Sequence, residues 1–189
     1  MKILHLLLTT ILFFGCHENK SNKKLTLDFD SFSIQIPEKW QKVEFQGLDS
    51  EVGGFITENN DTIRFDLGYY SNNLEDRIPF LMDSALWESS SDEMKESYKK
   101  ANYVMVKDVH KVDNDIFRTT NIAWDTIDGL KCKIKYPIIN GKGITGVYFD
   151  SISQSEYDKN IKLTLYGINL NVKEQEELQK AIKTIRFKK

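Results

Sequence analysis

The fold is decided by the stretch Thr126-Ile127-Asp128-Gly129-Leu130-Lys131-Cys132-Lys133-Ile134-Lys135-Tyr136, in which apolar and polar residues alternate after the pair Asp128-Gly129. Alternation with a period of two is typical of a β-strand that buries one face. An Asp-Gly pair favours a two-residue hairpin turn, because both positions of that turn need positive φ angles. The stretch therefore predicts an antiparallel hairpin built from the runs 116–126 and 130–139.

Turn signals of the same kind separate further apolar runs on both sides of this hairpin. The triplet 113–115 follows a strand predicted over residues 103–112, and the glycine-containing turn 140–143 leads into a strand predicted over 144–153. Another strand is predicted over 161–170. Because strands joined by short turns pair in an antiparallel manner, we expect one meander of about five strands.

Two N-terminal hairpins are predicted to extend this sheet at an edge. Runs 25–29 and 32–36 flank Asp30-Ser31, and runs 51–57 and 62–69 flank Asn59-Asn60-Asp61, a turn rich in residues that tolerate left-handed backbone. We expect Trp40 to fold back under the first hairpin. In the second hairpin, one strand face is predicted to carry the apolar residues Ile63, Phe65, Leu67 and Tyr69.

Helical periodicity appears at the C-terminus. The apolar residues that share one helical face are Val172, Leu178, Ala181, Ile182 and Ile185. Asn171 is the expected N-cap, and Glu174 has the spacing of a capping box. We expect this amphipathic helix to lie across the sheet, giving an α+β fold.

Helical signals in the middle of the chain are weaker. Ser90 and Glu93 have capping-box spacing before the helix-forming run 92–100, which predicts a short surface helix. Over 74–90 we expect a loop with at most a short helix, because Pro79 interrupts the apolar pattern.

The first sixteen residues have the composition of an export signal. Lys2 precedes an apolar run over 3–14 of twelve residues, followed by Gly15 and Cys16. A helix needs about 20 apolar residues to cross a bilayer, so this run indicates a cleaved signal and not a permanent span. Residues 1–15 are therefore predicted to be a signal peptide.

The end of this signal, Leu12-Phe13-Phe14-Gly15-Cys16, resembles the lipobox of bacterial lipoproteins. The resemblance implies that Cys16 receives a diacylglyceryl group and becomes the mature N-terminus. The protein would then be anchored in the bacterial cell envelope outside the cytoplasm, in either the inner or the outer membrane. An ordinary secretory signal with a chance cysteine is the alternative.

The residues after Cys16 predict a tether and one domain. Residues 17–24 are all polar or charged, so 16–24 is expected to be a flexible lipidated tether, and 25–189 a single domain. The chain carries 26 basic and 28 acidic side chains, a net charge of −2. Nucleic-acid binders carry a clustered basic excess, so we expect no nucleic acid among the partners.

Each residue of a chemically reactive type has a simpler structural explanation. Cys132 lies in the alternating run on the side of Leu130, Ile134 and Tyr136, which predicts a buried and unreactive thiol. If Cys16 is lipidated, Cys132 has no cysteine to pair with. His110, beside Asp108 on a predicted strand, is the one candidate base. Because His5 lies in the predicted signal peptide and His17 in the tether, a multi-histidine metal site within the domain is excluded.

Two lysine-containing patterns resemble ligand sites, and each also has a structural explanation. The stretch 141–146 lacks the spacing of a phosphate loop and precedes a strand, so it is expected to be a hairpin turn. Lys131, Lys133 and Lys135 share one strand face, which is more typical of a solvated sheet face than of an acidic-ligand site. We therefore predict no catalytic residue, no metal and no cofactor.

Two segments are similar to the Mog1/PsbP-like superfamily, namely Phe32-Ser33-Ile34-Gln35-Ile36-Pro37-Glu38-Lys39-Trp40 and the closing Ile182-Lys183-Thr184-Ile185-Arg186-Phe187. A third, the stretch from Thr126 through Asp150, is similar to small lipoproteins of Bacteroidota. The resemblance implies an antiparallel sheet flanked by helices, and a non-enzymatic binding or assembly module with an unknown protein partner. An immunity or inhibitor protein that caps an enzyme, and a hydrolase with an unrecognised site, are the alternatives.

Overall fold

A computed structural model describes residues 23–75, 79–100, 103–152 and 161–188. The predicted signal peptide, Cys16 and most of the tether lie outside the described residues. We number the strands β1 Lys24–Asp28, β2 Phe32–Pro37, β3 Gln41–Glu44, β4 Glu51–Ile56, β5 Thr62–Gly68, β6 Phe80–Asp83, β7 Tyr103–Val106, β8 Thr120–Ile127, β9 Leu130–Pro137, β10 Ile144–Phe149, β11 Lys162–Ile168 and β12 Arg186–Phe187. The helices are α1 Ser84–Ser89, α2 Asp92–Lys100 and α3 Val172–Ile182. In this part of the chain, no helix has the length and apolar character needed to cross a membrane.

A seven-stranded antiparallel sheet, here called the main sheet, has the order β3-β4-β5-β11-β10-β9-β8. The predicted hairpin of β8 and β9 is confirmed. Ile127 lies opposite Leu130, and Asp128 and Gly129 have φ angles of 51° and 80°. Both positive φ values are those that a two-residue turn requires, so the local sequence alone explains this register.

The core lies between one face of the main sheet and a second layer of the fold. That layer contains α3 and a three-stranded sheet of order β1-β2-β12. The fully buried side chains include Phe32, Ile34 and Ile36 from β2, Phe149 from β10, Leu163 and Leu165 from β11, and Leu178 and Ile182 from α3. We call this side of the main sheet its inner face and the opposite side its outer face.

The C-terminal helix is as predicted. The Asn171 side chain accepts a hydrogen bond from the Glu174 backbone N–H at 3.1 Å and caps α3, which packs against β2 and β10. Val172 is exposed although the helical pattern placed it on the apolar face. After the helix, Ile185 is buried and the chain adds β12 to β2.

The two N-terminal hairpins are present, but only one extends the main sheet. β4 and β5 enter it through the pairing of β5 with β11, whereas β1 and β2 form the second layer with β12. Trp40 is buried in the core, as expected. Tyr69 follows the end of β5 and is exposed, so its predicted place on the apolar face is wrong.

The five-strand meander is wrong in its first part, because residues 103–112 do not enter the main sheet. Only β7 is a strand there, and it pairs in parallel with β6, which the sequence did not predict. Residues 109–111 and 114–117 form short 3₁₀ turns. The Asp108 and Asp113 side chains accept hydrogen bonds from backbone N–H groups two residues later, which offers the backbone an alternative to strand pairing.

The middle of the chain forms the predicted short helices. α1 and α2 cover six and nine residues, and neither contains a buried side chain. The N-cap of α2 is Ser91, whose Oγ accepts from the Met94 N–H, and not the predicted Ser90. Ser90 Oγ instead donates to the Leu86 carbonyl at the end of α1.

Candidate functional site

Cys132 lies on the inner face of β9 and is almost completely buried. Burial raises the pKa of its thiol to about 11, and Sγ donates to the Asp125 carbonyl at 3.5 Å. A thiol that is protonated and enclosed at neutral pH is a poor nucleophile. The predicted burial of Cys132 is confirmed, and its low reactivity stays a prediction.

Asp108 and His110 do not form the pair that a shared strand face predicted. His110 lies in an exposed 3₁₀ turn, where its backbone N–H donates to Asp108 Oδ1 at 3.0 Å. The Lys111 ammonium, 3.0 Å from the same carboxylate, holds the pKa of Asp108 below its usual range. Among the described residues, no group of three or more His, Cys, Asp or Glu side chains is arranged to hold a metal ion.

The three lysines of β9 lie on the outer face, but they are not equally solvated. Lys131 is exposed, Lys133 is half-buried, and only 1% of Lys135 is accessible. The expectation of a uniformly solvated lysine stripe is therefore wrong. Lys135 Nζ donates to the carbonyl of Leu74, a buried residue with a φ angle of 58°.

The chain after β5 covers the centre of the outer face. Ser71 Oγ donates to the Asp66 carbonyl at 2.9 Å, and Thr164 Oγ1 donates to the Asn72 carbonyl. Together with the contact between Lys135 and Leu74, these bonds attach residues 71–74 to β5, β11 and β9. No sequence pattern predicts this attachment, because the acceptors are backbone carbonyls in an irregular segment.

An aromatic cluster, formed by Phe80, Trp87, Tyr98 and Tyr103, lies outside the core. The rings of Trp87 and Tyr103 stack at a centroid distance of 5.6 Å, and those of Phe80 and Tyr98 at 5.9 Å. Phe80 lies opposite Tyr103 in the β6-β7 pair, which joins the two stacks. None of the four side chains is buried.

A cleft of about 580 Å³ lies between α3 and the loop after β2. Lys39 and Lys173 both pair with Glu58, and the hydrogen bond from Lys39 lowers the pKa of that carboxyl. Because these charges on its lining satisfy one another, they are not arranged to attract a ligand of one sign.

Glu174, next to this cleft, is a buried carboxylate near a second acid. Its two oxygens accept from Asn59 Nδ2 at 3.2 Å and from Asn171 Nδ2 at 2.7 Å. Burial, and then the neighbouring Glu174, raise the pKa of Asp61. Glu174 thus ties the N-terminus of α3 to the β4-β5 turn, whereas the capping-box spacing predicted only its interaction with Asn171.

No protein-family model matches this chain, and a search of curated proteins finds no match to it.

Proposed function

We propose that this chain is a membrane-anchored lipoprotein of the bacterial cell envelope whose domain binds a partner protein through the aromatic cluster. In this proposal Cys16 carries the lipid, residues 16–24 form the tether, and the domain is a non-enzymatic binding or assembly module. The observation that carries it is the position of four clustered aromatic rings outside the core, none of them buried.

Aromatic side chains are suited to such a contact. Trp and Tyr bury a large area at low cost in conformational entropy and are enriched among residues that dominate binding energies. The segment that carries the cluster also exposes the apolar side chains of Leu86, Met94 and Met105. An exposed apolar surface of this kind is typical of a protein interface.

The helices that carry the cluster gain little stability from the rest of the domain. Isolated helices shorter than about 12 to 15 residues are marginal in water and depend on burial of an apolar face. α1 and α2 are shorter than this limit and contain no buried residue. A partner that covers the aromatic cluster would supply the burial that both helices lack.

We further propose membership of the Mog1/PsbP-like superfamily. Its support is the sequence resemblance, together with an antiparallel sheet whose inner face is covered by a C-terminal helix and a small second sheet. An immunity or inhibitor protein that caps an enzyme is the second candidate, since the same exposed apolar surface would suit it. A hydrolase gains no support, because Asp108 and His110 lie on an exposed turn.

Photo-crosslinking in native membranes tests the partner-binding proposal. A photoreactive phenylalanine at position 87 or 98 should crosslink the same partner protein. The matched control is position 48, an exposed leucine in the loop between β3 and β4. Crosslinks that form only from position 48, or equally from all three positions, would reject the aromatic cluster as the binding surface.

The lipid anchor is tested separately. Cys16→Ser should abolish labelling with a radioactive fatty acid and leave the chain either uncleaved or released from the membrane. A Ser variant that is still labelled would show that Cys16 is not the anchor.

A further inference from the structure

The edge strand β8 combines three features that no part of the proposed function uses. It is eight residues long, and among the described strands it pairs only with β9. Its outer face carries two exposed apolar side chains, Ile122 at 46% and Trp124 at 64% exposure. A long apolar edge strand is a template for pairing with another chain unless something covers it.

The backbone of β8 has donors and acceptors directed away from β9. In a two-residue hairpin the residues that flank the turn form a hydrogen-bonded pair, and such pairs alternate along the strands. Ile127 and Leu130 flank this turn, so the N–H and C=O groups of Ile122 and Trp124 point outward. Thr126 follows the same alternation of backbone hydrogen bonding, since its N–H donates to the Asp125 side chain at 2.7 Å and not to β9.

The charges on this part of the outer face are all positive. By register, β8 contributes Thr120, Ile122, Trp124 and Thr126 to it, and β9 contributes Lys131, Lys133, Lys135 and Pro137. Lys131 Nζ lies 4.9 Å from the centre of the Trp124 ring, over the edge strand, and has no ion pair among the described residues. Lys135 is buried beneath Leu74 and Lys133 is half-buried against the Tyr148 ring, so Lys131 is the exposed charge that these two strands place beside the edge.

We propose that the free edge of β8 binds an extended, acidic segment of a partner protein by strand addition. The added strand forms backbone hydrogen bonds with Ile122 and Trp124, packs apolar side chains against theirs, and directs carboxylates to Lys131. This site is separate from the aromatic cluster and does not depend on it.

Charge argues against a second copy of this chain as the occupant. Antiparallel pairing of two β8 strands continues the outer face from one copy to the next, so it would bring a second Lys131 ammonium to that face, and the outer faces of β8 and β9 would add no carboxylate to it. An acidic segment neutralises the same face. A free strand edge also favours a peptide over an anionic glycan, which cannot continue the backbone hydrogen bonding.

The test uses a fluorescent peptide in which valine and glutamate alternate on one strand face, with threonine at every intervening position, and anisotropy is the readout on the whole domain. We expect it to bind, and we expect Lys131→Glu to weaken binding about tenfold or more. Lys180→Glu, on the exposed side of α3, is the matched charge reversal and should leave binding within about twofold. Methylation of alternate backbone nitrogens of the peptide should also abolish binding, because it removes strand donors.

Four outcomes would overturn the proposal. They are equal binding of the methylated peptide, an equal effect of both charge reversals, and preferential binding of heparin as a sulfated-glycan probe. The fourth is a dimer in sedimentation experiments that Ile122→Lys dissociates, which would make a second copy the occupant. Trp124→Ala should weaken binding of the peptide and leave crosslinking from position 87 unchanged, so the two binding proposals can fail independently.

Discussion

Two regions of this molecule are stabilised in different ways. The frame, which we define as residues 24–68 and 120–187, contributes nearly every described element to one shared core. In the connecting segment, residues 69–119, the only buried side chains among those described are Ser71, Leu74 and Met82. The frame is thus held by its own burial, whereas the connecting segment depends on a few polar attachments and leaves its aromatic rings accessible.

The largest expected effect comes from truncating a core residue of the frame. Leu178→Ala or Ile182→Ala should lower the free energy of unfolding by about 2 to 5 kcal/mol, because each leaves a cavity under α3. Urea denaturation measures this change. Lys180→Ala, on the exposed side of the same helix, should stay within about 0.5 kcal/mol. Similar urea midpoints for all three variants would show that α3 is peripheral to the frame.

A second prediction uses the thiol as a probe of the frame. Burial that raises the pKa of Cys132 from 9.0 to about 11 lowers its thiolate fraction at pH 8 about a hundredfold. Native protein should therefore react with a thiol reagent at least that much more slowly than urea-unfolded protein. Equal rates would mean that the frame opens around β9 or that the thiol is reactive.

The frame was predictable because its information is local. The Asp128-Gly129 turn, the alternation in β9 and the capping residue Asn171 each determine a nearby element without reference to the rest of the chain. The strand order of the main sheet was harder to predict from the sequence, since the pairing of β5 with β11 joins residues about a hundred positions apart. No short motif encodes such a contact.

The connecting segment was predicted least well, and for a physical reason. Its strand β7 is apolar in sequence, yet the strand ends at Val106, and the side chains of Asp108 and Asp113 bond to the backbone of the two 3₁₀ turns that follow it. The aromatic cluster depends on the parallel pairing of β6 with β7, which periodicity cannot detect in four-residue strands. The burial of Lys135 likewise depends on Leu74, whose left-handed backbone has no sequence signal in a leucine.

A third prediction concerns the attachment between the two regions. Lys135→Met keeps the length of the side chain but leaves the Leu74 carbonyl without this donor, which should cost about 1 to 3 kcal/mol. Hydrogen exchange should increase more in the connecting segment than in α3, because the lost bond joins the segment to β9. A uniform increase across the whole chain would show that Lys135 stabilises the frame itself. Lys131→Met, an exposed lysine of the same strand face, is the control.

A fourth prediction uses pH within the frame. The pKa of the Asp61 carboxyl is higher in the folded state than in the unfolded chain. The free energy of unfolding therefore has its full value below the unfolded-state pKa of Asp61 and falls as the pH rises through the folded-state pKa. Asp61→Asn should therefore raise the urea midpoint at pH 7 and leave it almost unchanged at pH 3. Asp125→Asn should do the opposite at pH 7, because the Lys183 ammonium lowers the pKa of Asp125. Shifts of the same sign at pH 7 would contradict one of the two assignments, that of Asp125 if both midpoints rise and that of Asp61 if both fall.

The smallest effect is expected from truncating an apolar residue of the connecting segment. Leu86→Ala in α1 removes the same atoms as Leu178→Ala in α3, yet Leu86 is half exposed and Leu178 is fully buried. Water already contacts the Leu86 side chain, so its removal opens no cavity and should change the free energy of unfolding by no more than about 0.5 kcal/mol. Urea denaturation of the two leucine variants measures the contrast under one condition. If Leu86→Ala instead cost as much as Leu178→Ala, the connecting segment would have a core of its own, and its helices would not need the burial that a partner is proposed to supply.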